Sequence, residues 1–100
     1  MIVVAGTVRV PADKVEALQP HSEAVISATR QEAGCITYSF AHDLLEPGLI
    51  RIFEIWETRE HLDRHLHAPH MKPWRAALVE LGASGREVKV YRVDGAGEPV

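Results

Sequence analysis

The chain contains one cysteine, Cys35, so no internal disulfide can staple it. A lone thiol fits a reducing compartment, and a cytoplasmic location is expected. No apolar run approaches the roughly 20 residues of a bilayer-spanning helix, so no membrane span is expected. The opening stretch MIVVAGTVRV has neither a basic n-region nor a long apolar h-region. It reads as a first strand rather than a signal peptide. Basic residues are too few for a nucleic-acid footprint: 11 Lys and Arg stand against 14 Asp and Glu, for a net charge of -3. No block of like charges marks a membrane surface. A Gly-rich phosphate loop, a nucleophile elbow and a nicotinamide or flavin fingerprint are all missing, as is any CxxC pair. Cys35 follows the expected end of a helix, where the dipole disfavours a thiolate, so it is not read as a nucleophile.

What is present is an ordinary soluble composition, 46% hydrophobic and 25% charged. The length suits one domain, taken as residues 1–93, followed by a polar, Gly-rich tail at 94–100. So short a chain buries a modest core and gains from a partner subunit.

Residues 2–10 are rich in β-branched side chains and stop at Pro11, which cannot donate to a sheet ladder. Asp13 is placed to cap a helix whose apolar face carries Val15, Leu18, Val25, Ile26 and Ala28. Pro20 predicts a kink or a split in it, and Gly34 predicts its end. Residues 35–42 alternate. Ile36, Tyr38, Phe40 and His42 share one face, and Cys35, Thr37, Ser39 and Ala41 the other. A hairpin loop at 43–48 carries the turn signal Pro47-Gly48. Residues 49–57 are apolar on both faces, with Ile50, Ile52 and Trp56 one way and Phe53 and Ile55 the other. That pattern predicts a central strand. Thr58 can cap a short helix with Leu62 and Leu66 inward, broken at Ala68-Pro69. Met71, Trp74, Leu78 and Leu81 form the stripe of a last helix, with Pro73 in its first turn and Gly82 at its end. Residues 86–93 read as the final strand.

The order β-α-β-β-α-β is the split βαβ pattern, an α+β, ferredoxin-like fold with a four-stranded antiparallel sheet and helices on one face. Two helical segments cover only one side of such a sheet. The other side keeps apolar side chains, which predicts a homodimer packed sheet on sheet through an isologous interface.

The polar chemistry concentrates in residues 49–70. His61 and His65 are four apart on a helix, a spacing that can clasp a metal, and His70 is a conceivable third ligand. Leu62 stands where the metalloprotease glutamate would be, and no metal is expected. His65 borders the apolar stripe of its helix, where environment can tune a general base; a core-edge histidine bound to a carbonyl is the plainer reading. Trp56 can wall an aromatic pocket with Tyr38, Phe40, Phe53, Met71 and Trp74. Phe53 and Trp74 read first as packing residues. Trp56 and Tyr38 carry polar tips that need partners when buried. Glu54 interrupts the apolar strand and must find a partner or hold a proton, with Arg51 and Arg92 in range by sequence.

Gly34-Cys35 followed by Tyr38, the hairpin from Asp43 to Pro47, the run Phe53-Glu54-Ile55-Trp56-Glu57, His65-Leu66 and Pro69-His70 together resemble the antibiotic biosynthesis monooxygenase (ABM) family. The resemblance spans about residues 1–93. It implies a dimeric α/β barrel and an oxygenase that works without a cofactor on a quinol or a phenolic, polyketide-like molecule and dioxygen. It also implies His65 as base or proton relay, Trp56 and Tyr38 as orienting groups, and His70 at the entrance. Haem-degrading relatives have a tryptophan nine residues after the strand tryptophan, where this chain has His65. Two other readings stay open. One is an acid/base isomerase of a small carbonyl compound using Glu54 and His65; the other is a non-catalytic dimeric module that binds an apolar metabolite.

Overall fold

The computed structural model describes all 100 residues. Strand β1 (Ile2–Arg9) leads through a 3₁₀ turn (Ala12–Lys14) into helix α1 (Val15–Thr29). Strands β2 (Cys35–His42) and β3 (Leu49–Trp56) form a hairpin. Helices α2 (Arg59–Leu66) and α3 (Met71–Glu80) precede strand β4 (Ser84–Arg92). The sheet is antiparallel throughout, in the order β2-β3-β1-β4, with the helices on one face. This is the ferredoxin-like α+β fold that the element order predicts. No helix is long and apolar enough to cross a membrane.

Register decides which side chains meet the helices. Tyr38, Glu54, Val4 and Val90 form one row across the four strands, and Phe40, Ile52, Gly6 and Val88 the next. This face packs on the helices. Val8, Val10, Leu18, Val25, Ile50, Met71 and Trp74 make one buried cluster; Ile2, Val4, Tyr38, Trp56 and Leu62 make a second. Each such apolar side chain contributes about 1.5–3 kcal/mol when fully buried. The helix-free face leaves Phe53 44% and Tyr91 49% exposed. That is the apolar surface the single-sided helix layer predicts.

Four local expectations need correction. Pro20 does not split α1, which runs unbroken from Val15 to Thr29. The Glu16 carbonyl that a residue 20 amide would have bonded belongs to an exposed residue. Asp13 lies inside the 3₁₀ turn, and no side chain caps α1. Gly34 does not end α1, which stops five residues earlier; it closes the turn into β2. A β-bulge between Cys35 and Thr37 inserts one extra residue, so Cys35 pairs with Trp56 and Ile36 is turned out, 47% exposed. The expected helix cap is real at Thr58, whose hydroxyl accepts from the His61 amide. Gly82 follows the α3 C-cap with φ +76, as its position predicts.

Candidate functional site

A cavity of about 210 Å³ lies between the helix-facing side of the sheet and helices α2 and α3. Alternation along β2 and β3 sends Tyr38, Phe40, Ile52 and Glu54 up from the sheet. Helix α2 lowers Leu62, His65 and Leu66 onto it, and α3 closes it with Met71, Trp74 and Leu78. Six expected site residues therefore line one space: Tyr38, Phe40, Glu54, His65, Met71 and Trp74.

The other three lie elsewhere. Trp56 is fully buried on the same sheet face, two residues along β3 from Glu54, and does not line the cavity. Phe53 points to the helix-free face, because residues one apart on a strand face opposite ways. His70 is not at the entrance. It sits behind His65 beside a separate groove with His21, Val25 and Trp74.

Glu54 is 7% exposed, and its Oε1 accepts a 2.9 Å hydrogen bond from Trp56 Nε1. Burial pushes its carboxyl above the usual range; the Trp56 bond and the Arg86 charge pull the other way without cancelling it. Its cation is thus Arg86 on β4. Arg51, a partner suggested by sequence, bonds Asp43 Oδ1 at 2.9 Å instead. Tyr38 is buried, and burial together with the Glu54 charge drives its phenol well above the ordinary value. It stays a neutral hydrogen-bonding group at any ordinary pH.

His65 is 2% exposed, with its ring 4.8 Å from the Trp56 ring and 5.1 Å from that of Tyr38. Its Nδ1 lies 2.9 Å from Oε2 of Glu32. Burial holds the His65 pKa below its usual value; the Glu32 charge and hydrogen bond oppose this, and the His70 and Arg75 charges reinforce it. The imidazole is therefore neutral at pH 7. A neutral ring facing an acceptor-only carboxylate donates Nδ1–H to it, so Nε2 keeps the lone pair. Nε2 has no protein hydrogen-bond partner.

Glu32 is the residue that sequence reasoning missed. It lies in the turn after α1, 33 residues from His65, and no local pattern announces it. The turn reaches α2 because Gly34, at φ +80, packs directly on His61; an added Cβ there would sit 2.2 Å from His61 Cγ. His61 and His65 are one helical turn apart, so docking the turn on one brings Glu32 to the other. The second carboxylate oxygen, Oε1, lies 2.8 Å from His70 Nε2, which is also 3.3 Å from Thr29 Oγ1. The Oε1 contact is short but off the hydrogen-bond line, which leaves Oε1 buried without a well-aligned donor.

Donor atoms of Glu32, His65 and His70 lie within 4.8 Å of one another, close enough to share a cation. The 2.8 and 2.9 Å contacts are hydrogen-bond lengths. They are shorter than the roughly 3.3 Å that separates nitrogen and oxygen ligands on a tetrahedral zinc ion with ~2.0 Å bonds. As it stands, the trio holds one hydrogen bond, His65 to Glu32, and one close His70–Glu32 contact, at spacings too short for a coordination cage. His61, the other histidine with metal spacing, is committed to Thr58, its Nδ1 2.8 Å from the hydroxyl. His42 and His67 also serve local backbone, through Gly48 N and Asp63 O.

The model of the antibiotic biosynthesis monooxygenase family matches residues 1–77. The chain belongs to that family. The uncharacterised protein sll1783 of Synechocystis is 37% identical over 92 residues. That match covers 92% of this chain but only 63% of the Synechocystis protein, so the chain spans less than two thirds of that relative. Rv0793 of Mycobacterium tuberculosis, provisionally described as a monooxygenase, is 35% identical over 69 residues, 69% of this chain and 67% of its own. Its solved structure superimposes with a TM-score of 0.82 at 30% identity, covering 96% of this chain and 98% of that one. A structure from Deinococcus radiodurans, provisionally described as an antibiotic biosynthesis monooxygenase, gives a TM-score of 0.91 at 28% identity over 100% and 99% of the two chains. Membership of the ABM family supports a monooxygenase-like role in general terms and a small-molecule ligand.

Proposed function

We propose that this ABM protein is a cofactor-independent monooxygenase of a quinol or phenolic small molecule. The observation that carries the reading is His65: a buried, neutral imidazole whose Nδ1 is held by Glu32 and whose Nε2 lacks a protein partner, in the wall of an apolar cavity. A cavity of roughly 150 Å³ takes benzene, so about 210 Å³ admits one substituted aromatic ring. Phe40 and Trp74, stacked at 5.2 Å, and Met71 present the apolar wall such a ring needs.

In the proposed reaction, His65 Nε2 takes the hydroxyl proton of the substrate, breaking O–H and forming N–H. The resulting anion gives one electron to dioxygen, and the radical pair joins to form a C–O bond. Protonation of the distal oxygen, loss of the ring C–H proton and cleavage of O–O then release water and leave a quinone. Substrate supplies the electrons, so no cofactor and no metal is required. Tyr38 and Glu54 lie where they can hydrogen-bond substrate oxygens, and Trp56 fixes Glu54. A dry cavity strengthens each of these contacts.

The homodimer belongs to the same reading, formed through the helix-free face that exposes Phe53 and Tyr91, in the cytoplasm that a lone cysteine fits. One observation favours a second function: Glu54, pushed toward its protonated form, shares the cavity with neutral His65. That is an acid and a base, enough for isomerising a small carbonyl compound. Oxygen uptake with a panel of quinols and phenols separates the two. The oxygenase consumes oxygen and yields quinone; the isomerase forms product in anaerobic buffer.

A further inference from the structure

The trio behind the cavity is more elaborate than a base requires. A single carbonyl would hold His65 in place. Instead one carboxylate serves two histidines, Oε2 to His65 at 2.9 Å and Oε1 to His70 at 2.8 Å. Only His65 lines the cavity; Glu32 and His70 do not. The His70 side chain is 24% exposed against 1% for His65, so of the two rings His70 is the one that faces solvent. Oε1 is buried without a well-aligned donor, and an imidazolium at His70 would place a positive charge 2.8 Å from it.

We infer that Glu32 is a positioning residue shared by two histidines: it fixes His65 with Nδ1–H on Oε2 and Nε2 free for substrate, and a proton on His70 draws on the same carboxylate and weakens His65 as a base. The inference rests on His65 being the base of the proposed reaction. It adds a residue outside the cavity that sets tautomer, and a more exposed histidine that shares its carboxylate. The charge pattern fits. Glu32 faces His65 from the turn after α1, His70 and Arg75 from the α2–α3 connection and α3, and Glu54 and the Tyr38 phenol from the sheet. Of these, Glu32 favours the protonated ring, whereas His70 and Arg75 disfavour it.

Two substitutions then act in opposite directions. In Glu32→Gln, the charge is lost and the amide can donate as well as accept. The His65 titration midpoint falls, the Nδ1–H tautomer is no longer enforced, and kcat drops by roughly 10²–10⁴-fold, the scale of a general base's contribution. KM stays near wild type, because Glu32 does not line the cavity. In His70→Gln, the competing cation is removed and the His65 midpoint rises. Glu32→Asp, which keeps the charge, restores part of the kcat lost in Glu32→Gln.

The experiment is a pH titration of the ring nitrogens by ¹⁵N-edited NMR on wild type and both variants, alongside the pH profile of kcat. Opposite shifts of the His65 midpoint and an Nδ1–H signal in the wild type support the coupling. An unmoved midpoint, shifts of the same sign, or an Nε2–H tautomer in the wild type overturn it. Should Glu32→Gln fail to fold, His70→Gln alone decides, and a midpoint that does not rise is fatal. NMR reads the network without turnover. A protein with coupled histidines but no oxygenase activity defeats the function alone; an active oxygenase with an uncoupled His65 defeats the inference alone.

Discussion

Replacing Glu54 by Gln tests the electrostatics of the cavity without emptying it. The side chain is 7% exposed on the central strand β3, and burial raises its pKa from 4.5 despite the Trp56 bond and Arg86. The folded protein thus holds the proton more tightly than the unfolded chain. Stability contributed by the neutral form is complete below pH 4.5 and is lost as pH rises through 4.5 toward the raised folded value. At pH 7 the carboxyl is a net cost. Glutamine has the same shape, keeps an oxygen for the 2.9 Å bond from Trp56 Nε1, and never ionises. Glu54→Gln should therefore be more stable than wild type at pH 7 by about 1 kcal/mol, a typical gain when a buried misfit is relieved. For a domain of this size that raises Tm by roughly 4–8 °C. The assay is thermal unfolding followed by circular dichroism at pH 4 and pH 7. The gap between variant and wild type should shrink on acidification, as both side chains become neutral. A variant less stable than wild type at pH 7, or a gap independent of pH, would refute the assignment of Glu54 as a buried, proton-holding carboxyl.

Gly34→Ala should destabilise by about 1–3 kcal/mol from its backbone at φ +80 alone, and the 2.2 Å approach of the new Cβ to His61 adds to that. Denaturant titration measures it, and oxygenase activity should fall with it as Glu32 moves off His65. Phe53→Glu places a charge in the exposed apolar face and should turn a sedimenting dimer into a monomer; a wild-type monomer at micromolar concentration would remove the sheet-packing argument. Dialysis against a strong chelator should leave oxygen uptake unchanged, since the 2.9 and 2.8 Å contacts of Glu32 with His65 and His70 are shorter than the spacing of ligands on a shared ion; a loss restored by added metal would contradict this.

The fold was legible because alternation and helical stripes repeat over whole elements. The predicted bounds of β2 match its two ends, and the apolar stripe through Met71 and Trp74 marks α3. What escaped was local or distant. The extra residue that turns Ile36 out interrupts alternation without any Gly to flag it. Pro20 looked disruptive because its context on an exposed helix surface is a tertiary fact. Parity along β3 already sets Phe53 opposite Trp56; grouping the aromatics by chemical type hid that. His65 was found through its place beside Leu62 and Leu66, both of which share its cavity. Glu32 and the true position of His70 depend on how the turn after α1 docks on α2, and no periodicity encodes that contact.

The most direct test of the central claim is an oxygen-electrode measurement with chelated, cofactor-free protein and a panel of substituted hydroquinones and phenols, wild type beside His65→Gln. Wild type should consume oxygen and form quinone, and the variant should fold normally yet turn over roughly 10²–10⁴-fold more slowly. Oxygen uptake undiminished in His65→Gln, or none by wild type across the panel, would contradict the account.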